Sequence, residues 1–188
     1  MDRRMTKTTK PEIFFIDLET TGLDPATCVI VEVGFKDPSG PAPPLSYTVG
    51  STKEDWAAAN EFVNNMHSIS GLKQRSLDCA FTIEEVDRWV SRYIQAGYSS
   101  IDKPLLGGNS VQFDQAFIRA HMPLTAKALH PYRIFDVTTI STLAQLGGMS
   151  PYQKAKKHTA REDLEETLGE LDACIEFLES DASDIVYE

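Results

Sequence analysis

The stretch FFIDLETTGLD, residues 14–24, limits the possible folds because an apolar, strand-like run leads directly into two acids. Side chains alternate between the two faces of a strand, so Asp17 and Glu19 are expected to point to the same side. Two like charges on one face repel each other, and a divalent cation bound by carboxylate oxygens offsets that repulsion. We therefore predict a cation site at the carboxyl end of this strand. The alternative is a solvated strand end before a turn.

Two more acids and a histidine fit the same chemistry. Asp114 lies near the start of a predicted helix that follows the glycine-ended run PLLGGN. Asp163 falls on about the fourth residue of the last predicted helix, with Thr159 as its N-cap, and His158 comes just before that cap. Taken singly, each has a simpler interpretation as a helix-dipole acid or a polar loop residue. Together, four carboxylates and a base suit hydrolysis of a phosphodiester by two cations.

The order of the predicted elements indicates the fold class α/β, with a mixed sheet and helices on its faces. The stretch DPSGPAPP, residues 37–44, is expected to be a hairpin loop. Residues 1–10 are predicted to be a flexible leader, 11–180 a single domain and 181–188 a tail. Strands are predicted over 12–17, 29–36, 45–49, 104–109 and 132–137, and helices over 53–66, 82–97, 110–122, a short stretch ending at Gly147, and a long stretch from about Thr159.

Charge and cysteine content narrow the possible functions. The formal net charge is −10, whereas a protein that binds long nucleic acid through its phosphates usually has a basic surface. The chain is therefore expected either to avoid nucleic acid or to act on short pieces at a cation site. Three widely spaced cysteines predict reduced thiols in a cytoplasmic protein. No apolar run approaches the length of about 18 residues that a membrane span needs, so we predict no membrane partner.

The motifs DLETTGLD, GNSVQFDQAFI and HTAREDL resemble, in order, type and spacing, the three motifs of the DEDDh 3′-to-5′ exonucleases. Within that group the chain is most similar to the oligoribonuclease family, over about residues 12–178. The segments MHSISGL, PLLGGNSVQFDQAFIRAHMP and YRIFDVTTISTLA carry this closer similarity. The resemblance implies a ribonuclease-H-like sheet, a homodimer, two Mg²⁺ or Mn²⁺ ions, and release of 5′-mononucleotides from very short single-stranded RNA.

The same resemblance assigns expected roles to individual residues. Leu18 would wedge against the bases, and Ser110 would bind the 5′ phosphate together with Tyr132 and Arg133 contributed by the second subunit. His158 would be the general base. The metal ligands would be Asp17, Glu19, Asp114 and Asp163, and the remaining expected substrate contacts are Thr20, Gly22, Phe62, His67 and Asn109.

Three departures from the family pattern leave the substrate open. Thr20 replaces the usual Met, Phe62 replaces the usual Trp, and Pro131 is inserted after His130. These changes fit a divergent member with a wider substrate range, and they keep a second hypothesis open: a proofreading-type exonuclease acting on DNA 3′ ends. A binding module without activity is a third hypothesis, which the presence of all five active-site residues disfavours. A basic patch before the histidine either guides phosphate or solvates a loop; it comprises Lys154, Lys156 and Lys157.

Overall fold

The computed structural model describes residues 11–98, 102–154 and 159–183. In this part of the chain five strands form one sheet with the order β3-β2-β1-β4-β5. Strand β2 pairs antiparallel with β1 and β3, whereas β4 runs parallel to β1 and β5. The predicted mixed sheet is therefore confirmed, as is the β2–β3 hairpin. The strands are β1 (Ile13–Thr20), β2 (Ile30–Lys36), β3 (Leu45–Thr48), β4 (Leu105–Gly108) and β5 (Ile134–Asp136).

Helices cover both faces of the sheet, which confirms the predicted fold class. No helix in the described ranges is both long enough and apolar enough to cross a membrane. The helices are α1 (Lys53–Ala58), α2 (Glu61–Ile69), α3 (Leu72–Asp78), α4 (Ile83–Gly97), α5 (Gln112–His121), α6 (Pro123–Ala128), α7 (Val137–Leu146) and α8 (Ala160–Ser183).

Alternation along β1 decides where the acids point. Phe14, Ile16 and Leu18 are buried in the core that includes α4 and α5. Phe15 lies on the opposite face, in a smaller core with residues of α7 and α8. Because side chains two residues apart share a face, Asp17 and Glu19 lie on the side of the sheet that α8 covers.

The structure corrects several predicted boundaries. Strand β1 continues to Thr20 instead of ending at Asp17, and both acids lie in its last four residues. The helix predicted over 53–66 is two helices, because the Asn60 side chain accepts a hydrogen bond from Val63 N and starts a new one. Pro123 ends one helix but also opens α6 at its first position, where its missing N–H costs nothing. Helix α3 was not predicted, and α8 ends at Ser183.

Candidate active site

Three acids from two elements converge above β1. One carboxylate oxygen from each of Asp17, Glu19 and Asp163 lies within 4.8 Å of the other two. Glu19 is buried, whereas Asp17 and Asp163 are half-buried. Helix α8 supplies Asp163 from its first turn, where Thr159 and Glu162 make the expected capping contacts. Carboxylate oxygens converging on one point are the donors that Mg²⁺ and Mn²⁺ prefer.

Asp114 lies beside this cluster but is not one of the three converging acids. Its Oδ1 accepts a hydrogen bond from Leu18 N at 3.0 Å, and the side chain is 4% exposed. Leu18 lies between Asp17 and Glu19 in β1, so the bond holds the first turn of α5 against the strand that carries both acids. The structure thus brings three of the four predicted metal ligands together. The fourth, Asp114, is hydrogen-bonded to the backbone N–H of Leu18, the residue between Asp17 and Glu19.

The pKa values of these carboxyl groups are raised. Burial raises the pKa of Glu19 to about 8, with further contributions from the charges of Asp163, Glu32 and Asp114. Burial and the neighbouring acids, led by Asp114, raise the pKa of Asp17 well above its usual range. Burial also raises the pKa of Asp114 to about 7, against the opposing effect of its backbone hydrogen bonds. Acids that resist ionisation in one cluster need a cation to be stable as carboxylates at neutral pH.

A fifth carboxylate, which the sequence analysis missed, belongs to Glu32. It lies opposite Glu19 in the β1–β2 pairing, is 4% exposed, and accepts a hydrogen bond from Ala160 N at 3.0 Å. The available signal was an isolated acid within the otherwise apolar run VIVEVGFK. Such a residue in a strand buried on both faces needs a partner, and here the partner is the first backbone N–H of α8.

His67, predicted to contact substrate, is fully buried behind the acids. Its Nε2 lies 3.1 Å from the Thr20 carbonyl oxygen and 3.7 Å from Oε2 of Glu19. Thr20 is also buried, and its hydroxyl donates to the Gly22 carbonyl at 2.7 Å. These three residues therefore shape the backbone after Glu19, and their substrate contacts stay predictions.

Asn109 and Ser110 connect the end of β4 to two helices. The Asn109 amide donates to Thr167 Oγ1 and to Glu170 Oε2, both on α8, at 3.0 and 3.2 Å. Both amide hydrogens of Asn109 are therefore bonded to α8, and its substrate contact stays a prediction. Ser110 has a φ of 50°, a conformation that is uncommon outside glycine. Its N–H donates to Asp136 Oδ1 and to Thr138 Oγ1, and its side chain is exposed.

The other predicted contacts differ in exposure. Leu18 is 6% exposed and packs in the core, whereas Phe62 and Tyr132 are 72% and 78% exposed. Arg133 is exposed as well. Lys154 Nζ pairs with Glu170 Oε2 at 2.7 Å, so this lysine is engaged by the protein itself. His158, Lys156 and Lys157 lie outside the described residues.

Comparison with known proteins identifies a family and several relatives. A family model described as an exonuclease, RNase_T, matches residues 14–171. An oligoribonuclease from Corynebacterium glutamicum (strain R) is 35% identical over 168 residues, which cover 85% of this chain and 76% of the relative. One from Francisella tularensis subsp. novicida (strain U112) is 31% identical over 85% of this chain and 91% of the relative. A probable oligoribonuclease from Schizosaccharomyces pombe is 30% identical over 86% of this chain and 66% of the relative. The chain belongs to the RNase_T exonuclease family.

Proposed function

We propose that this protein is a metal-dependent 3′-to-5′ exonuclease that releases 5′-mononucleotides from short single-stranded RNA. The observation that carries the proposal is the convergence of Asp17, Glu19 and Asp163 within 4.8 Å, with raised pKa values at the first two. The oligoribonuclease relatives, which align over at least 85% of this chain, support the substrate class.

The carboxylates would hold two divalent ions, Mg²⁺ or Mn²⁺, with Asp17 and its neighbours Glu19, Asp163 and Asp114 as ligands. When bound, such ions activate a water and stabilise a leaving oxygen. The protein supplies the remaining functions. His158, which directly precedes the cap of α8, would take the proton from the attacking water.

Selection of short substrates would come from contacts to the 5′ phosphate. The side chain of Ser110 is exposed, and the hydrogen bonds from its N–H to Asp136 and Thr138 fix its backbone conformation. The family resemblance implies that Ser110 binds the 5′ phosphate. Tyr132 and Arg133 are exposed, so they are available to a second subunit in a homodimer. Exposed Leu143 and Leu146, one turn apart on α7, are consistent with an apolar contact between copies.

A proofreading-type exonuclease acting on DNA is the second candidate. Thr20 favours it slightly, because the oligoribonuclease pattern has Met there and proofreading enzymes have Thr. Pro131 favours it as well, because it changes the loop that carries Tyr132 and Arg133. The cytoplasm remains the predicted compartment for either activity.

Digestion of 5′-labelled RNA and DNA of two, five and twenty nucleotides with Mn²⁺ or Mg²⁺ would test both candidates. We expect fast cleavage of the RNA dinucleotide and slow cleavage of the 20-mers. Asp17→Ala is the control, because it removes a ligand from a crowded cluster and should leave the fold intact. Activity retained in Asp17→Ala would contradict the assignment, and length-independent digestion of DNA would favour the proofreading type.

A further inference from the structure

Helix α8 begins directly over strand β2, on the face that carries the acids. Ala160, its first residue, is fully buried, and its N–H donates to Glu32 Oε2 at 3.0 Å. Glu32 is itself 4% exposed and pairs in register with Glu19 on the neighbouring strand. The buried Glu32 carboxylate therefore fixes the N-terminus of α8 to β2, next to the acid cluster.

Gly34 provides an independent observation at the same point. It pairs in register with Asp17, so it lies on the face that α8 covers. A Cβ on Gly34 would come within 2.8 Å of the Ala160 carbonyl oxygen and 2.9 Å of its carbonyl carbon. Any side chain at position 34 would therefore clash with the backbone of α8, which cannot move aside as a flexible side chain could. Gly34 thus allows the start of α8 to lie close to β2, and the hydrogen bond from Ala160 N to Glu32 keeps it there.

The position of Asp163 follows from these two contacts. It lies three residues after Ala160, and its N–H donates to the Thr159 carbonyl at 2.9 Å, so it moves with the first turn of α8. Asp17 and Glu19, by contrast, are fixed by the sheet. The distance between the helix acid and the two strand acids therefore depends on how the start of α8 is seated on β2.

We infer that Glu32 is a positioning residue for the metal site: by binding the Ala160 N–H it seats the first turn of α8 over Gly34 and so places Asp163 against Asp17 and Glu19. Glu32 acts through the helix and is not itself one of the three converging ligands. This inference rests on the proposed function for its link to catalysis, but its effect on cation binding can be measured without substrate.

The test compares two substitutions of the same residue. In Glu32→Gln the side-chain oxygen still accepts from Ala160 N, although the charge is lost, whereas in Glu32→Met no acceptor remains. Mn²⁺ affinity would be measured by isothermal titration calorimetry, and the rise in Tm on adding Mn²⁺ would provide a second readout. Glu54→Gln, at an exposed acid in the first turn of α1, is the control for a lost surface charge.

We expect Glu32→Met to weaken Mn²⁺ binding by about 10- to 100-fold, the range typical for residues that orient metal ligands, and Glu32→Gln to keep most of the affinity. Gly34→Ala should weaken Mn²⁺ binding although every carboxylate is intact, which keeps the test valid if Glu32→Met does not fold. If Glu32→Gln and Glu32→Met weaken Mn²⁺ binding equally, the charge of Glu32 and not its hydrogen bond is what matters, and the positioning role is wrong. Wild-type Mn²⁺ affinity in Gly34→Ala would also contradict the positioning role.

These outcomes are separable from failure of the proposed function. If the wild-type protein binds Mn²⁺ but releases no nucleotide from RNA or DNA, the exonuclease proposal fails, while the order of affinities among the variants still decides the role of Glu32. If nucleotide release is normal and Glu32→Met binds Mn²⁺ like the wild type, only the positioning role fails.

Discussion

Leu18 N donates to Asp114 Oδ1 at 3.0 Å and so joins two residues that are 96 positions apart in the chain. Asp114 therefore has a structural role in addition to its charge, because it accepts a hydrogen bond from the backbone N–H that lies between two of the predicted metal ligands. An amide can accept the same hydrogen bond but carries no charge. Substitution can therefore separate the two roles.

We expect Asp114→Asn to reduce nucleotide release at least about 100-fold while remaining no less stable than the wild type in EDTA, because the hydrogen bond persists and the repulsion with Asp17 is gone. Asp114→Ala should be less stable than Asp114→Asn by about 1–3 kcal/mol, since it leaves the buried Leu18 N–H without an acceptor. Urea unfolding in EDTA gives the difference. Equal stability of the two variants would show that the bond contributes little.

Stability without metal is expected to fall as the pH rises. The pKa of Glu19 is about 8 in the folded protein against an ordinary 4.5, so between these values the folded state binds more protons than the unfolded state. The stabilisation is complete below the ordinary pKa and is lost as the pH rises through 8. Each such group lowers the free energy of unfolding by up to about 1.4 kcal/mol per pH unit.

Thermal unfolding in EDTA between pH 5 and pH 8 tests this directly. We expect Tm to decrease across that range and Mn²⁺ to reverse the decrease, because the cation favours the ionised carboxylates. Glu19→Gln, which cannot titrate at this position, should give a shallower dependence. A slope as steep in Glu19→Gln as in the wild type would mean that other groups cause it.

Local signals predicted the elements that carry the site, because those elements follow from short-range chemistry. The spacing of Thr82 with Glu85 and of Thr159 with Glu162 located the starts of α4 and α8, and both pairs make capping contacts. The alternation rule placed Asp17 and Glu19 on one face, as observed. These inferences need only neighbouring residues, so tertiary packing did not overturn them.

Errors arose where the outcome depends on distant partners. The role of Glu32 depends on Ala160, 128 positions away, and no local pattern reveals that contact. The hydrogen bonds of Asn109 also depend on a distant element, because α8 supplies both acceptors for its amide and no local pattern indicates them. The break before Asn60 is different, since its N-cap chemistry is local and could have been recognised from the sequence.

Glu170 should stabilise the protein through contacts with two separate segments. It is 8% exposed, and its Oε2 accepts from Lys154 Nζ at 2.7 Å and from Asn109 Nδ2 at 3.2 Å. These hydrogen bonds hold the pKa of Glu170 below its usual value although burial acts in the opposite direction. Glu170→Ala leaves both donors without this acceptor and is expected to cost about 1–3 kcal/mol of stability.

The matched control for Glu170→Ala is Glu176→Ala, an exposed acid on the same helix, which should change stability by less than about 0.5 kcal/mol. Urea unfolding of both variants at neutral pH provides the measurement. A loss in Glu170→Ala no larger than that in the control would mean that solvent replaces both contacts.

His130 is expected to influence recognition of the 5′ phosphate through the backbone. Its Nδ1 accepts from Arg133 N at 3.0 Å and from Tyr132 N at 3.4 Å, and its ring packs edge-on against Tyr132 with centroids 4.8 Å apart. The ring thereby closes the turn that contains Pro131. His130→Ala should therefore alter the presentation of Tyr132 and Arg133 while leaving the metal cluster intact.

We expect His130→Ala to raise KM for a 5′-phosphorylated RNA dinucleotide by about tenfold with little change in kcat, because KM rises alone when the lost contact is equally strong in the ground state and the transition state. A dinucleotide with a 5′ hydroxyl is the internal control, since it lacks the group that these residues would contact. Steady-state kinetics on both substrates with Mn²⁺ gives the comparison. An equal rise in KM for both would indicate a general disturbance of the site, and no rise for either would remove this turn from 5′-phosphate recognition.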